Sequence, residues 1–272
     1  MSRASRGLTP EQVAALAPAC DAPVFDVEVF RAVGAFVVRN LFPAETVAAW
    51  QAAWAEFQAN TLAARKVGFN KVAVEEPLPP VLATMYESPE HRAVARAMFG
   101  PDVGLYNHRF VIKDQFSRDP VFLHQDYCYH LGFPEKASFF TPLSVCGREN
   151  GGLEFFLGTH QYGYLGDAGE IDPEAFPAWP SILPELNPGD LVVMDSSTWH
   201  RSGPHLGGPD RILADTIIQP ASDPSTVAMV CGENGPVNRI DRSAAAGLFK
   251  RSRTTRMKEL TAELSRLQGG SD

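Results

Sequence analysis

The chain has 272 residues, 44% of them hydrophobic, a formal net charge of -8 and 4 cysteines. That length and apolar content suit one large domain with a sizeable core, while the acidic balance argues against a nucleic-acid surface, which needs clustered basic charge to neutralise phosphates. Cys20, Cys128, Cys146 and Cys231 form no CxxC pair, which speaks against a zinc ribbon or disulfide scaffold and for reduced thiols in a cytoplasmic protein. No stretch approaches the roughly 18 apolar residues of a membrane span, so the expected partner is a small molecule; the oligomeric state is not readable.

Thr9-Pro10-Glu11 supplies an N-cap, a proline at the first helical position and an acidic first turn, opening a short helix to about Ala17. A second short helix is expected from Val24 to Val33, then a Gly-led strand from Gly34 to Arg39. Pro43-Ala44-Glu45-Thr46 starts the longest early helix, to about Ala64, with Val47, Trp50, Trp54 and Phe57 at helical spacing as a core face. Val67 to Pro80 reads as a loop. Glu87-Ser88-Pro89-Glu90 starts a helix that runs through Met98 and stops at Gly100-Pro101, with His91 expected to be exposed on it.

From Val103 the texture changes to short β-type runs separated by turn residues. Val103 to Lys113, Val121 to Tyr129, Ser138 to Val145, Leu153 to Phe156, Asp190 to Met194 and Arg211 to Gln219 predict about six strands of a barrel or double-sheet jelly roll. The Pro-rich stretch Tyr164 to Pro188 reads as a loop at the barrel mouth, and Arg242 to Leu267 as a helix with a solvated basic face. The expected fold class is mainly β with flanking helices. The expected organisation is a single domain, 1-272: helical support to 102, a jelly-roll core over 103-220, and a helical C-terminal segment.

His124-Gln125-Asp126 is the stretch around which the rest is arranged. A His and an Asp two apart on an extended strand point to one face, and His200 can return on a second strand. Two imidazoles and one carboxylate on one side of an ion leave positions open, as expected for a non-haem Fe(II) oxygenase. Arg211 opens an apolar strand after a Gly-rich turn; an interior arginine needs an anion, and a carboxylate matches its planar fork. On the strand before, Asn107, Arg109 and Lys113 share one face, with His108 and Phe110 on the other. If the first set points inward, a basic pocket would favour an anionic substrate. Tyr127, Tyr129, Phe139 and Phe140 could line a cavity or fill the barrel. His108, His130, His160 and His205 read as structural histidines.

The run HQD at 124-126, ENGGLEFFLGTH at 149-160 and NPGDLVVMDSSTWHRSGP at 187-204, followed by Arg211, resembles the phytanoyl-CoA dioxygenase family of Fe(II)- and 2-oxoglutarate-dependent oxygenases. The similarity covers about Val103 to Pro220. It implies a double-stranded β-helix (a cupin-like jelly roll), iron held by His124, Asp126 and His200, and 2-oxoglutarate lying against Gln125, Ser202 and Arg211. Lys113 resembles a lysine often found before HxD. The implied reaction consumes O2 and 2-oxoglutarate, releases succinate and CO2, and hydroxylates an unactivated C–H bond. Related halogenases lack the carboxylate, so Asp126 favours hydroxylation. The resemblance does not name the substrate, and desaturation or epimerisation could follow from the same chemistry. Two other readings stay open: a non-catalytic jelly roll and a metal enzyme that uses no 2-oxoglutarate.

Overall fold

The computed structural model describes residues 7-62, 78-164, 171, 179-232, 240 and 253-269. The helices are α1 (Pro10–Leu16), α2 (Val27–Val33), α3 (Ala44–Phe57), α4 (Pro80–Ala83), α5 (Pro89–Phe99) and α6 (Arg253–Gly269). The strands are β1 (Asp21–Ala22), β2 (Ala35–Val38), β3 (Val103–Lys113), β4 (Val121–His124), β5 (Ala137–Pro142), β6 (Leu153–Phe156), β7 (Ser181–Ile182), β8 (Leu191–Asp195), β9 (Trp199–Ser202), β10 (Arg211–Pro220) and β11 (Ala228–Cys231). They form a seven-stranded sheet in the order β1-β2-β8-β5-β10-β3-β11 and a four-stranded sheet in the order β4-β9-β6-β7. The fold is therefore mainly β with flanking helices, a cupin-like jelly roll, as the sequence predicts.

The large sheet is built on the long antiparallel ladder of β3 and β10, from Arg211 opposite Lys113 to Pro220 opposite Val103. Alternation along β3 sorts its side chains between two environments. Phe110 packs on Trp54 of α3 with ring centroids 4.7 Å apart, and His108 bonds the Leu82 carbonyl at 2.8 Å and the Thr216 hydroxyl at 2.7 Å. Arg109 and Val111, on the opposite face, line a cavity. The α3 stripe is a core face as expected, with Val47, Trp50, Trp54 and Phe57 all buried.

Three expectations need correction. The strand predicted to Tyr129 ends at His124, and residues 127-129 form a 3-10 turn. His200 stands on a second strand as expected, but that strand, β9, is not among the six predicted: Trp-His-Arg-Ser is short with one apolar residue in four, so no strand pattern stands out. His91 is buried rather than exposed, bonded to Ser88 at 3.0 Å and Thr141 at 2.9 Å. It lies on one helical stripe with the buried Val94 and Ala95. Burial, and the neighbouring His108, push its pKa down to about 3, so it packs as a neutral ring. Helix α3 passes at Gln58–Leu62 into a π-type turn. The loop expected over 67-80 and the insertion expected over 164-188 lie largely outside the described residues, as does the first part of the C-terminal helix. Among the described residues no helix is long and apolar enough to cross a membrane.

Candidate active site

His124 closes β4 and pairs directly with His200 of β9 across the small sheet. Cross-strand neighbours on one face bring their side chains together, and the two imidazole centroids are 4.2 Å apart. Asp126 joins them from the turn after β4, with helical backbone angles (φ -72, ψ -28); the bend, not a continuous strand, carries its carboxylate across. Its Oδ1 lies 3.3 Å from His124 Nε2 and 3.6 Å from His200 Nε2, and one ligand atom from each residue falls within 4.8 Å of the others.

Each imidazole is oriented by the backbone two residues before it. His124 Nδ1 donates to the Phe122 carbonyl at 2.8 Å, and His200 Nδ1 donates to the Thr198 carbonyl at 3.0 Å. Donation at Nδ1 leaves the Nε2 lone pair for a metal, the arrangement that fixes tautomer and ring direction in metal sites. Burial and the adjacent His124 push the His200 pKa down to about 4. Burial alone would raise Asp126, but the imidazoles of His200 and His124 outweigh it and hold the carboxyl below the usual range. The group is thus an ionised carboxylate beside a neutral imidazole, a donor set suited to a divalent transition metal.

The triad opens on a cavity of about 160 Å³ whose wall also contains Ser202 and Arg211. Ser202 ends β9 beside Leu153 of β6, and its buried Oγ has no hydrogen-bond partner among the described residues. Arg211 is 1% exposed. Its Nη1 donates to the Gly151 carbonyl at 2.8 Å, while Nε has no partner among the described residues. Directly across the ladder sits Lys113, whose ammonium donates to the carbonyls of Asp119 and Gly203. Burial and the Arg211 charge push Lys113 down to about 8, and burial lowers Arg211 as well. A buried guanidinium with a bare N–H and an unpaired hydroxyl in the wall of one cavity fit the carboxylate of an anionic ligand.

The structure separates the remaining sequence candidates. Arg109 lines the cavity, but its Nε and Nη2 both bind Asp215 Oδ2 at 2.7 Å, so the inward basic face carries its own counter-charge. Lys113, Asn107 and Tyr127 are not among the described wall residues; Tyr127 packs its ring on Tyr164. Gln125 does not line the cavity either. Flanked by two residues that turn toward the metal site, it points elsewhere, and its amide donates to the carbonyls of Gly163 and Ser197, each at 2.7 Å. These bonds brace the loops around the triad.

Asp215 and Gly151 are the functional residues that the sequence reading missed. Asp215 is the one acid in an apolar strand, and it lies four residues from Arg211, hence on the same face. Gly151 has a left-handed φ of 86°. A Cβ there would lie 2.4 Å from Lys113 Cδ and 2.9 Å from the Gly203 carbonyl oxygen, so only glycine holds that carbonyl against Arg211 without strain.

Comparison with solved structures gives the same architecture. The chain is similar to EctD from S. alaskensis in its apoform, with 21% identity, 87% of this chain and 91% of that chain covered, and a TM-score of 0.62. The epimerase SnoN, solved with Fe3+, alpha ketoglutarate and nogalamycin RO, matches at 17% identity over 79% and 86% of the two chains, TM-score 0.61. HygX from Streptomyces hygroscopicus, solved with nickel and 2-oxoglutarate, matches at 14% identity over 74% and 89%, TM-score 0.57. At these identities the likeness establishes a shared fold. The family profile of phytanoyl-CoA dioxygenase (PhyH) matches residues 30-213, a span that holds the triad, Ser202 and Arg211. The chain belongs to the phytanoyl-CoA dioxygenase family of iron- and 2-oxoglutarate-dependent oxygenases.

Proposed function

We propose that this protein hydroxylates an unactivated C–H bond of a small molecule, with 2-oxoglutarate as cosubstrate. The observation that carries the reading is the meeting, in one cavity, of the His124, Asp126 and His200 donor set with the unpaired polar atoms of Ser202 and Arg211. His124, Asp126 and His200 would hold Fe(II); Arg211 and Ser202 would hold the carboxylate of 2-oxoglutarate remote from the metal. Bound together, iron, 2-oxoglutarate and O2 supply the oxidising power, with succinate and CO2 as the coproducts.

The residues of this chain supply the rest. Hydrogen bonds from the two Nδ1 atoms to backbone carbonyls fix the imidazoles before any ligand arrives. Ser138 Oγ donates to Asp126 Oδ2 at 3.3 Å and orients the carboxylate from the large sheet. Val111, Val121, Phe140 and Leu153 give the cavity an apolar wall, which excludes water from the reacting centre. Asp126 supports hydroxylation over halogenation, since it occupies the position that a halide would need.

The test is an anaerobic spectroscopic titration with Fe(II) and then 2-oxoglutarate. The expected outcome is the weak visible charge-transfer band of a bidentate chelate, lost in His200→Ala together with at least about a hundredfold of metal affinity. Absence of the band in the wild-type protein, with no 2-oxoglutarate binding, overturns the proposal.

A further inference from the structure

The cavity wall beyond the metal triad contains three arginines, and two of them are already paired. Arg109 is tied to Asp215 at 2.7 Å and Arg201 to Glu154 at 2.7 Å. Arg211 is the third, and the proposed function assigns it to 2-oxoglutarate. An anionic substrate would therefore meet no uncompensated cation among the described residues. It would instead meet Asp215, which is 1% exposed, lines the cavity, and has an Oδ1 with no hydrogen-bond partner among the described residues.

The geometry of the pair explains why that oxygen is left over. Asp215 and Arg109 are register partners on β10 and β3. Both donated N–H groups of the guanidinium converge on Oδ2, which fixes the carboxylate and leaves Oδ1 bare. A buried acceptor left unsatisfied is costly, and polar atoms of this kind fix ligand orientation in an otherwise apolar pocket. Val111, Val121 and Phe140 supply the apolar surroundings.

We propose that Asp215, held by Arg109, selects the substrate: a largely apolar molecule, neutral or cationic, that donates a hydrogen bond from a hydroxyl or amine to Asp215 Oδ1. This rests on the oxygenase reading for the role of the cavity, and it replaces the anionic substrate expected from the sequence of β3. The arginine guanidinium neutralises the carboxylate, so a neutral hydroxyl suffices; a carboxylate or phosphate brought to the same place would face Asp215 without a cation of its own.

The test uses iron-loaded protein holding 2-oxoglutarate under anaerobic conditions, titrated separately with cis-cyclohexane-1,2-diol, cyclohexylamine and cyclohexanecarboxylate. Paramagnetic broadening of the probe's proton resonances reports binding beside the metal without turnover. The diol and the amine are expected to bind at least about tenfold tighter than the carboxylate. In Asp215→Asn, which leaves Arg109 without a counter-ion, the order is expected to reverse by a similar factor. If Asp215→Asn does not fold, Arg109→Gln serves instead, with a roughly tenfold gain for the amine. The proposal is overturned if the wild-type protein takes the carboxylate as tightly as the diol and amine, if neither of those binds at about 10 mM, if the order is unchanged in folded Asp215→Asn, or, where Arg109→Gln stands in, if the amine gains no affinity. The charge-transfer band of the same wild-type sample reports the oxygenase reading separately. Should the band be absent, that reading falls, and the probes are ranked by saturation transfer in metal-free Arg211→Gln, where no free arginine remains among the described wall residues for the carboxylate and the same order, with the same reversal on adding Asp215→Asn, decides.

Discussion

The two sheets contribute to the cavity in different ways. In the small sheet, His124 and His200 are paired across β4 and β9, and each is oriented by a backbone carbonyl two residues before it. The metal ligands are thus prepared by local hydrogen bonds. In the large sheet, Arg211 and Asp215 on β10 each leave a polar atom bare among the described residues, and their partners within the protein, Gly151 and Arg109, are distant in sequence. The small sheet is prepared for an ion and, among the described residues, leaves the Ser202 hydroxyl at the end of β9 without a partner, while the large sheet leaves Arg211 Nε and Asp215 Oδ1 for organic ligands. On the proposed function, the metal is held from the small sheet, and what is brought to it is selected chiefly from the large sheet.

Arg211→Ala is the sharpest way to break the large-sheet half alone. Removing a buried charged donor is expected to lower 2-oxoglutarate affinity by roughly a hundredfold, or about 3 kcal/mol. The drop is read from titration of the charge-transfer band, while Fe(II) affinity measured without 2-oxoglutarate changes far less. Arg211→Lys is expected to recover little, because a point charge does not replace the planar fork. A parallel loss of metal affinity in Arg211→Ala would mean that the two sheets do not act independently.

Gly151→Ala probes the same half indirectly and should have a smaller effect. The added methyl meets Lys113 and the Gly203 carbonyl, and the left-handed backbone costs a further ~1 to 2 kcal/mol. Displacing the Gly151 carbonyl removes the acceptor that holds Arg211 Nη1. The expected result is a roughly tenfold loss of 2-oxoglutarate affinity with a lowered thermal midpoint. Unchanged affinity in a folded variant would show that Arg211 is placed by its strand alone.

The same division governs what could be read from the sequence. His124 and Asp126 are two residues apart, so their association was legible, although the sequence suggested a continuous strand where the structure has a bend. Arg211 was legible for a chemical reason: a cation opening an apolar strand must be answered by an anion. The pairing of Arg109 with Asp215 depends on the register of β3 against β10, which no local pattern encodes. The sequence therefore suggested a basic face where the structure has a neutral pair. Gln125 lies between two metal-facing residues, and its amide is directed to the Gly163 and Ser197 carbonyls, a direction that alternation along an extended segment favours. His91 was misjudged because a histidine counts as polar by type; only its stripe with Val94 and Ala95 marks it as core.

Ser138→Ala tests the contact that crosses the division. Ser138 lies on β5 of the large sheet, fully buried, and its hydroxyl reaches Asp126 Oδ2 at 3.3 Å. That distance is long for an O–H donor to a carboxylate, so the bond refines the angle of a ligand that His124 and His200 already confront. Loss of the hydroxyl is expected to weaken Fe(II) binding only about three- to fivefold, near 1 kcal/mol, as measured by competition with a chelating dye. If the loss instead approaches that of His200→Ala, the carboxylate is not held by its own turn, and the metal centre depends on both sheets. A small loss confines the determinants of metal binding to β4, its turn and β9, where a short stretch of backbone can prepare them.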